Sequence, residues 1–155
     1  MIPRPLEEIE QVDLQNLIDT EVREGTTIDY KREISLDTGD EKREFLADVS
    51  SFANAAGGDL VIGMDEENGA PSAYPGLDLP DPDSEILRIE NLIRSGIAPR
   101  LPGIAIKLIL LDGGRFVMVI RIGRSWVSPH RVIFRSHDKF YGRNSGGKYL
   151  CMANS

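Results

Sequence analysis

The sequence has one cysteine, Cys151, and two histidines, His130 and His137. A lone cysteine forms no internal disulfide, so a reducing, cytoplasmic setting is the expectation. One Cys and two His also argue against a structural zinc centre, which takes four such ligands. No run of about 18 apolar residues occurs, so no membrane-spanning helix is expected. The opening "MIPRPLEEIEQ" is acidic and has no apolar stretch, unlike a secretory signal. A phosphate-cradling GxxxxGK[ST] loop is missing too. "RNSGGKY" has Gly-Gly-Lys but neither the earlier glycine nor the following Ser or Thr, so no P-loop motif supports ATP binding.

What is present suits one domain spanning residues 1–155 around one core: 155 residues, 41% of them hydrophobic. The net charge of −7 hides an asymmetry. Residues 1–99 hold 8 Lys and Arg against 23 Asp and Glu, whereas residues 100–155 hold 10 against 2. Either the basic part meets an anionic partner, or the halves neutralise one another across the folded surface.

Leu6, Ile9, Leu14, Leu17 and Ile18 predict a helix over residues 5–20. A charged strand follows at 26–31. Asp40 is the expected cap of a helix whose apolar stripe is Phe45, Leu46, Val49, Phe52 and Ala53, stopped by Gly57 and Gly58. "DLVIGM" reads as a buried strand, "DEENG" as a turn and "APSAYPGLDLPDPD" as a loop. A further helix is expected from about Ser84 to Ile97, capped by Ser84 or Asp83. "IAIKLILL" and "RFVMVIRI" flank "DGG" as a hairpin, and "RVIF" and "KFYGR" as short strands. The sum is an α+β or mixed α/β domain: one twisted, mainly antiparallel or mixed sheet of five or six strands with helices against it. "GGKYLCMANS" follows without a further core-forming element, which suggests a chain truncated before a C-terminal region.

Three groups could carry chemistry. Asn54, Gly57 and Gly58 form a helix-to-strand turn that approaches either a neighbour or a ligand. Arg121, Arg124, His130, Arg131, Arg135, His137, Lys139, Arg143 and Lys148 crowd into 28 residues, interleaved with Trp126, Phe134, Phe140, Tyr141 and Tyr149. Cations with interleaved aromatics suit phosphates and unpaired bases. The third group is "EGTTIDYKRE", where a short strand carries Asp29 and Lys31 on one face.

"TTIDYKRE", "FANAAGGDLVIGMDEENG", "SWVSPHRV" and "FYGRNSGGKY" occur in the order seen in Schlafen-type AlbA domains, and the chain resembles that family over roughly residues 20–149. The resemblance implies a nucleic-acid-binding module of prokaryotic type, with RNA favoured over DNA. In members that cut RNA, three carboxylates hold a divalent metal. The matching positions are Glu24, Asp29 and Asp65, with Mg²⁺ or Mn²⁺ as the implied cofactor and Lys31 as a phosphate contact. Asp29 stands where the family usually has Glu, and Tyr30 where it has Phe. The alternative is a non-catalytic DNA-binding or nucleotide-sensing module of a transcriptional regulator. Animal members join two similar lobes in one chain. A single lobe therefore implies a homodimer, through the helix of residues 83–97 or the region of Tyr149 and Leu150.

Overall fold

The computed structural model describes residues 1–151. The expected first helix is broken. A 3-10 turn, Leu6–Glu8, ends at Ile9, whose backbone is extended, and helix α1 runs Gln11–Asp19. The Asp13 carboxylate accepts from the Glu10 N–H at 2.8 Å and so restarts the helix. Strand β1, Ile28–Lys31, leads through a loop to helix α2, Gly39–Ala53. Thr38, not Asp40, caps α2. Its hydroxyl accepts from the Glu41 N–H at 3.1 Å, and the Glu41 carboxylate accepts from the Thr38 N–H at 3.0 Å. Asp40 lies inside the first turn, paired with Arg43.

Strand β2 is Gly58–Ile62. The acidic turn and the start of the proline-rich loop form a ribbon, β3 (Asp65–Glu67) with β4 (Ala70–Ala73). Asn68 and Gly69 both have positive φ, 53° and 83°, as a tight hairpin needs. Helix α3, Pro82–Gly96, starts earlier than expected. Asp81 accepts from the Ser84 N–H at 3.2 Å, and Pro82 opens the helix. Then come β5 (Ile97–Ala98), β6 (Ile104–Leu110), β7 (Phe116–Ile122), β8 (Arg131–Val132), a 3-10 turn Phe134–Ser136, β9 (Lys139–Asn144) and β10 (Gly147–Leu150). The run after Asn144 is thus a hairpin strand rather than a tail. Residues 152–155 of "CMANS" lie outside the described residues.

The α+β class holds, but the strands divide between two four-stranded sheets and the ribbon instead of one sheet. The main sheet has the order β1-β2-β7-β6, with β1 parallel to β2 and the remaining pairs antiparallel. The second, β10-β9-β8-β5, is antiparallel throughout. The reason lies in α2, which is buried from Phe45 to Ala53 without a break. A helix buried so far round its circumference needs cover on more than one side. β2 and β7 pack on one side of it, and β8, β9 and β10 on the other.

Strand parity gives the main sheet two cores. Leu60, Ile62, Met118, Ile120 and Ile122 face α2 and α3, against Phe45, Leu46, Val49, Phe52, Ile89 and Ile93. Ile28, Tyr30, Val61, Val117 and Val119 face the other way, toward Leu14 and Leu17 of α1 and toward Ile2 and Ile9. Gly57 has the expected positive φ, 78°. A β-carbon there would lie 2.7 Å from the Arg124 nitrogen and 2.8 Å from the Ile122 oxygen, so only glycine lets the turn dock on the end of β7.

Candidate nucleic-acid interface

The charges of β1 follow from parity. Asp29 and Lys31 point to the α2 side of the sheet. Asp29 is 7% exposed and lies 3.3 Å from the Arg143 guanidinium of β9. That guanidinium donates to the Gly25 carbonyl at 2.9 Å and to Ser51 Oγ at 3.3 Å, and sits 4.0 Å from the centre of the Phe52 ring. Lys31 Nζ is 3.3 Å from Asp48 of α2. Lys148 of β10 also holds Asp48, at 2.9 Å, and pairs with Glu44. Burial disfavours the Lys148 charge, but Asp48 and Glu44 outweigh it and hold its pKa above the ordinary lysine value. The charged strand is therefore one wall of an ion-paired seam joining the main sheet, α2 and the second sheet.

Glu24 lies beside Asp29. Burial, a hydrogen bond to Asp29 and the charges of Asp29 and Glu66 push its pKa up to about 8. Burial alone would raise Asp29 as well, but the hydrogen bond from Glu24 and the charges of Lys31 and Arg143 hold it below the ordinary value. At neutral pH Glu24 keeps its proton and Asp29 is ionised. Asp65, at the start of β3, turns to Arg32, which donates to both of its carboxylate oxygens at 2.7 and 2.9 Å. The structure thus brings Glu24 and Asp29 together and engages Asp65 elsewhere. Among the described residues no group of three or more His, Cys, Asp and Glu side chains is placed to hold a metal ion. Mg²⁺ and Mn²⁺ bind several anionic oxygens. Asp29 is held by Arg143, Asp65 is held by Arg32 apart from the Glu24–Asp29 pair, and so the three carboxylates as arranged do not fit such an ion.

The predicted basic set splits. Arg121 grips Asp59 of β2 through two bonds, 2.8 and 3.0 Å, and donates to the Ile2 and Arg4 carbonyls, so it ties the N-terminal segment to the sheet. His130 is fully buried. Its Nδ1 is 2.6 Å from the Pro99 carbonyl, which can only accept, so Nδ1 donates there, and Nε2 is hydrogen-bonded to the Ser125 hydroxyl at 2.5 Å. Asn54 donates to the His130 and Tyr141 carbonyls at 2.8 and 2.9 Å and accepts from the His130 N–H at 2.7 Å. For Lys31, Arg121, His130, Arg143 and Lys148 the expected phosphate contact gives way to pairing inside the fold. Asn54 is a joint between the end of α2 and the second sheet.

Arg124, Arg131, Arg135 and Lys139 reach the surface. Arg131 is paired with the exposed Asp138 at 2.8 Å. Arg124 lies 5.0 Å from the centre of the Trp126 ring. Trp126 is 85% exposed, flanked by exposed Val127, on a loop held from beneath by the Ser125–His130 bond. Arg135 and Lys42 both lie over the Phe134 ring, at 5.0 and 5.7 Å. Sequence reasoning missed Lys42 and its neighbour Arg43. They stand in the acid-rich part of the chain, where counting charge gives no signal.

Among the described residues no helix is long and apolar enough to cross a membrane. Solved structures similar in fold to this chain include these two. One is the DIP2311 protein from Corynebacterium diphtheriae, 16% identical with a TM-score of 0.54; the match covers 90% of this chain and 26% of that one. The other is the N-terminal domain of an ATP-dependent DNA helicase RecG-related protein from Nitrosomonas europaea, 24% identical with a TM-score of 0.59, covering 95% of this chain and 91% of that one. At these identities the likeness shows the fold alone. No curated protein matches the sequence. The family model described as Schlafen, AlbA_2 matches residues 24–152, from the Glu24–Asp29 pair through the β9–β10 hairpin, and the chain belongs to that family.

Proposed function

We propose that this domain binds single-stranded nucleic acid, RNA before DNA, through the rim formed by the 123–130 loop and the second sheet. The observation that carries the reading is Trp126, 85% exposed with the Arg124 guanidinium against its ring. With Val127 beside it, 58% exposed, the ring offers an uncovered apolar face on which an unpaired base can stack. Every base offers a π-face, and stacking contributes about 1–3 kcal/mol per base. Arg124 adds charge for the adjoining phosphate. In this reading the domain binds without cutting.

Trp126 is the only tryptophan, so its emission reports directly on the contact. Titration with a short single-stranded RNA should quench it saturably. Trp126→Ala, followed by anisotropy of a labelled strand, should weaken binding roughly 5- to 150-fold. An emission untouched by RNA and DNA alike would overturn the reading. RNA incubated with Mn²⁺ should stay intact. Cleavage that disappears in Asp29→Asn would replace simple binding with the metal-dependent nuclease implied by the family.

A further inference from the structure

Three cations, Lys42, Arg43 and Arg135, meet where the start of α2 faces the 3-10 turn Phe134–Ser136, and a fourth, Lys139 at the start of β9, acts with Arg43 on His137. Lys42 and Arg135 share the Phe134 ring. A β-carbon on Gly39 would lie 3.1 Å from Arg135 Nη1 and 3.5 Å from Arg43 Nη1, so both guanidinium groups flank that one glycine. Lys139 and Arg43 also act on His137. Burial lowers the pKa of that ring, the two cations lower it further, and Asp138 opposes them. Among the described residues Lys42, Arg135 and Lys139 have no carboxylate partner, and Arg43 has only Asp40, 90% exposed on the same helix. Arg135 and Ser136 are held at φ 48° and 66°, a left-handed conformation that non-glycine residues adopt at a cost and that tends to persist where it serves a site.

Grouped cations whose nearest acids, Asp40 and Asp138, are exposed and outnumbered repel one another, and an anion between them relieves that repulsion. Two guanidinium forks and two ammonium groups suit the oxygens of a tetrahedral phosphate. We propose that Lys42, Arg43, Arg135 and Lys139 form a phosphate subsite. It rests on the nucleic-acid reading, which supplies its natural occupant, a phosphodiester of the bound strand, but it uses residues distinct from the Trp126 loop. The neighbouring Lys148 is no part of it, because Glu44 and Asp48 already hold that ammonium.

His137 is the reporter. Facing it are Arg43, Lys139, Asp138 and the Tyr141 hydroxyl, 3.0 Å from Nε2. In proton NMR, pyrophosphate should shift the His137 ring signal saturably and raise its pKa, since the added anion offsets the two cations, while the buried His130 stays still. The variant Arg135→Gln with Lys139→Gln should lose the response at an unchanged melting temperature, and Trp126→Ala should keep it. With a single-stranded oligonucleotide the same double variant should lower the slope of log affinity against log salt by about 0.7, the value for one phosphate contact on a single strand. A non-saturating shift, or one that survives in the double variant, overturns the subsite. Saturation by pyrophosphate without quenching of Trp126 by any oligonucleotide keeps the subsite as one for free phosphate and removes the nucleic-acid reading.

Discussion

Arg143 and Arg135 are eight residues apart, and each guanidinium lies against a phenyl ring, at 4.0 and 5.0 Å. Their uses are opposite. Arg143 is in the seam, where Asp29, Ser51 and the Gly25 carbonyl consume its donors. Arg135 is on the rim, exposed and without an acid. The same division runs through the other cations: Lys31, Arg121 and Lys148 meet carboxylates of β2 or α2, whereas Arg124 and Lys139 do not. What decides is strand parity and the insertion of α2 between two sheets. A cation turned into a packed layer, toward α2 for Lys31, Arg143 and Lys148 or under the N-terminal segment for Arg121, is drawn into a medium where a close opposite charge matters, and one facing outward stays available. Basic content alone therefore overstates the binding surface.

The largest effect should come from breaking the seam. Arg143→Met keeps the apolar stem on Phe52 and removes the charge, leaving Asp29 buried beside Glu24. We expect a loss of about 3–5 kcal/mol in urea unfolding, the usual result of removing one partner of a buried pair. Adding Asp29→Asn should recover part of it, because the stranded charge is gone. A single-variant cost as small as that of a surface change, about 0.5 kcal/mol, would erase the distinction between seam and rim.

A smaller effect should appear in the pH dependence. Glu24 has a folded pKa near 8 against an ordinary 4.5, so between those values the folded chain holds a proton that the unfolded chain releases. Its contribution to stability is present in full below the unfolded value and is lost as pH rises through about 8. Asp29 acts in the opposite sense, and its contribution fades as pH falls through the lowered folded value. Glu24→Gln should therefore flatten the fall in melting temperature between about pH 5 and pH 8, leaving the acid limb unchanged. An equal slope in variant and wild type would mean that the pair does not share a proton in this way.

The helices and the β6–β7 hairpin were legible because their apolar spacing is regular. The caps of α2 and α3 were misplaced by two to three residues, since Thr38 and Asp81 compete with equally suitable neighbours. The second sheet was not legible. β8 has two residues, too few for a period, and β10 reads as a glycine-rich tail until its pairing with β9 is seen. Site reading erred for a different reason. Arg121, His130 and Arg143 carry the chemistry of a phosphate contact, and only the fold shows that Asp59, the Pro99 carbonyl and Asp29 already claim them. Exposed Trp126 was named, yet its partner Arg124 mattered more than the crowd around it.

The smallest effect on stability concerns Arg32 and Asp65, a pair on the far side of β1 from the rim. Both side chains are substantially exposed, at 58% and 35%, so the pair contributes little, about 0–1 kcal/mol. Arg32→Ala should leave the melting temperature nearly unchanged while freeing the carboxylate that the family pattern assigns to a metal. That makes it a sharp probe of whether Glu24, Asp29 and Asp65 form a latent metal site. At pH 7 we expect none to open: Asp29 still faces Arg143, and among the described residues no three carboxylates are grouped to hold an ion. Mn²⁺ added to the variant should then cause no selective broadening of the backbone amide signals of residues 24, 29 and 65. Selective broadening in Arg32→Ala but not in wild type would make Arg32 a latch over a divalent-ion site. It would also move Asp29 out of the purely structural seam, and the contrast between the two regions would have to be redrawn around that ion.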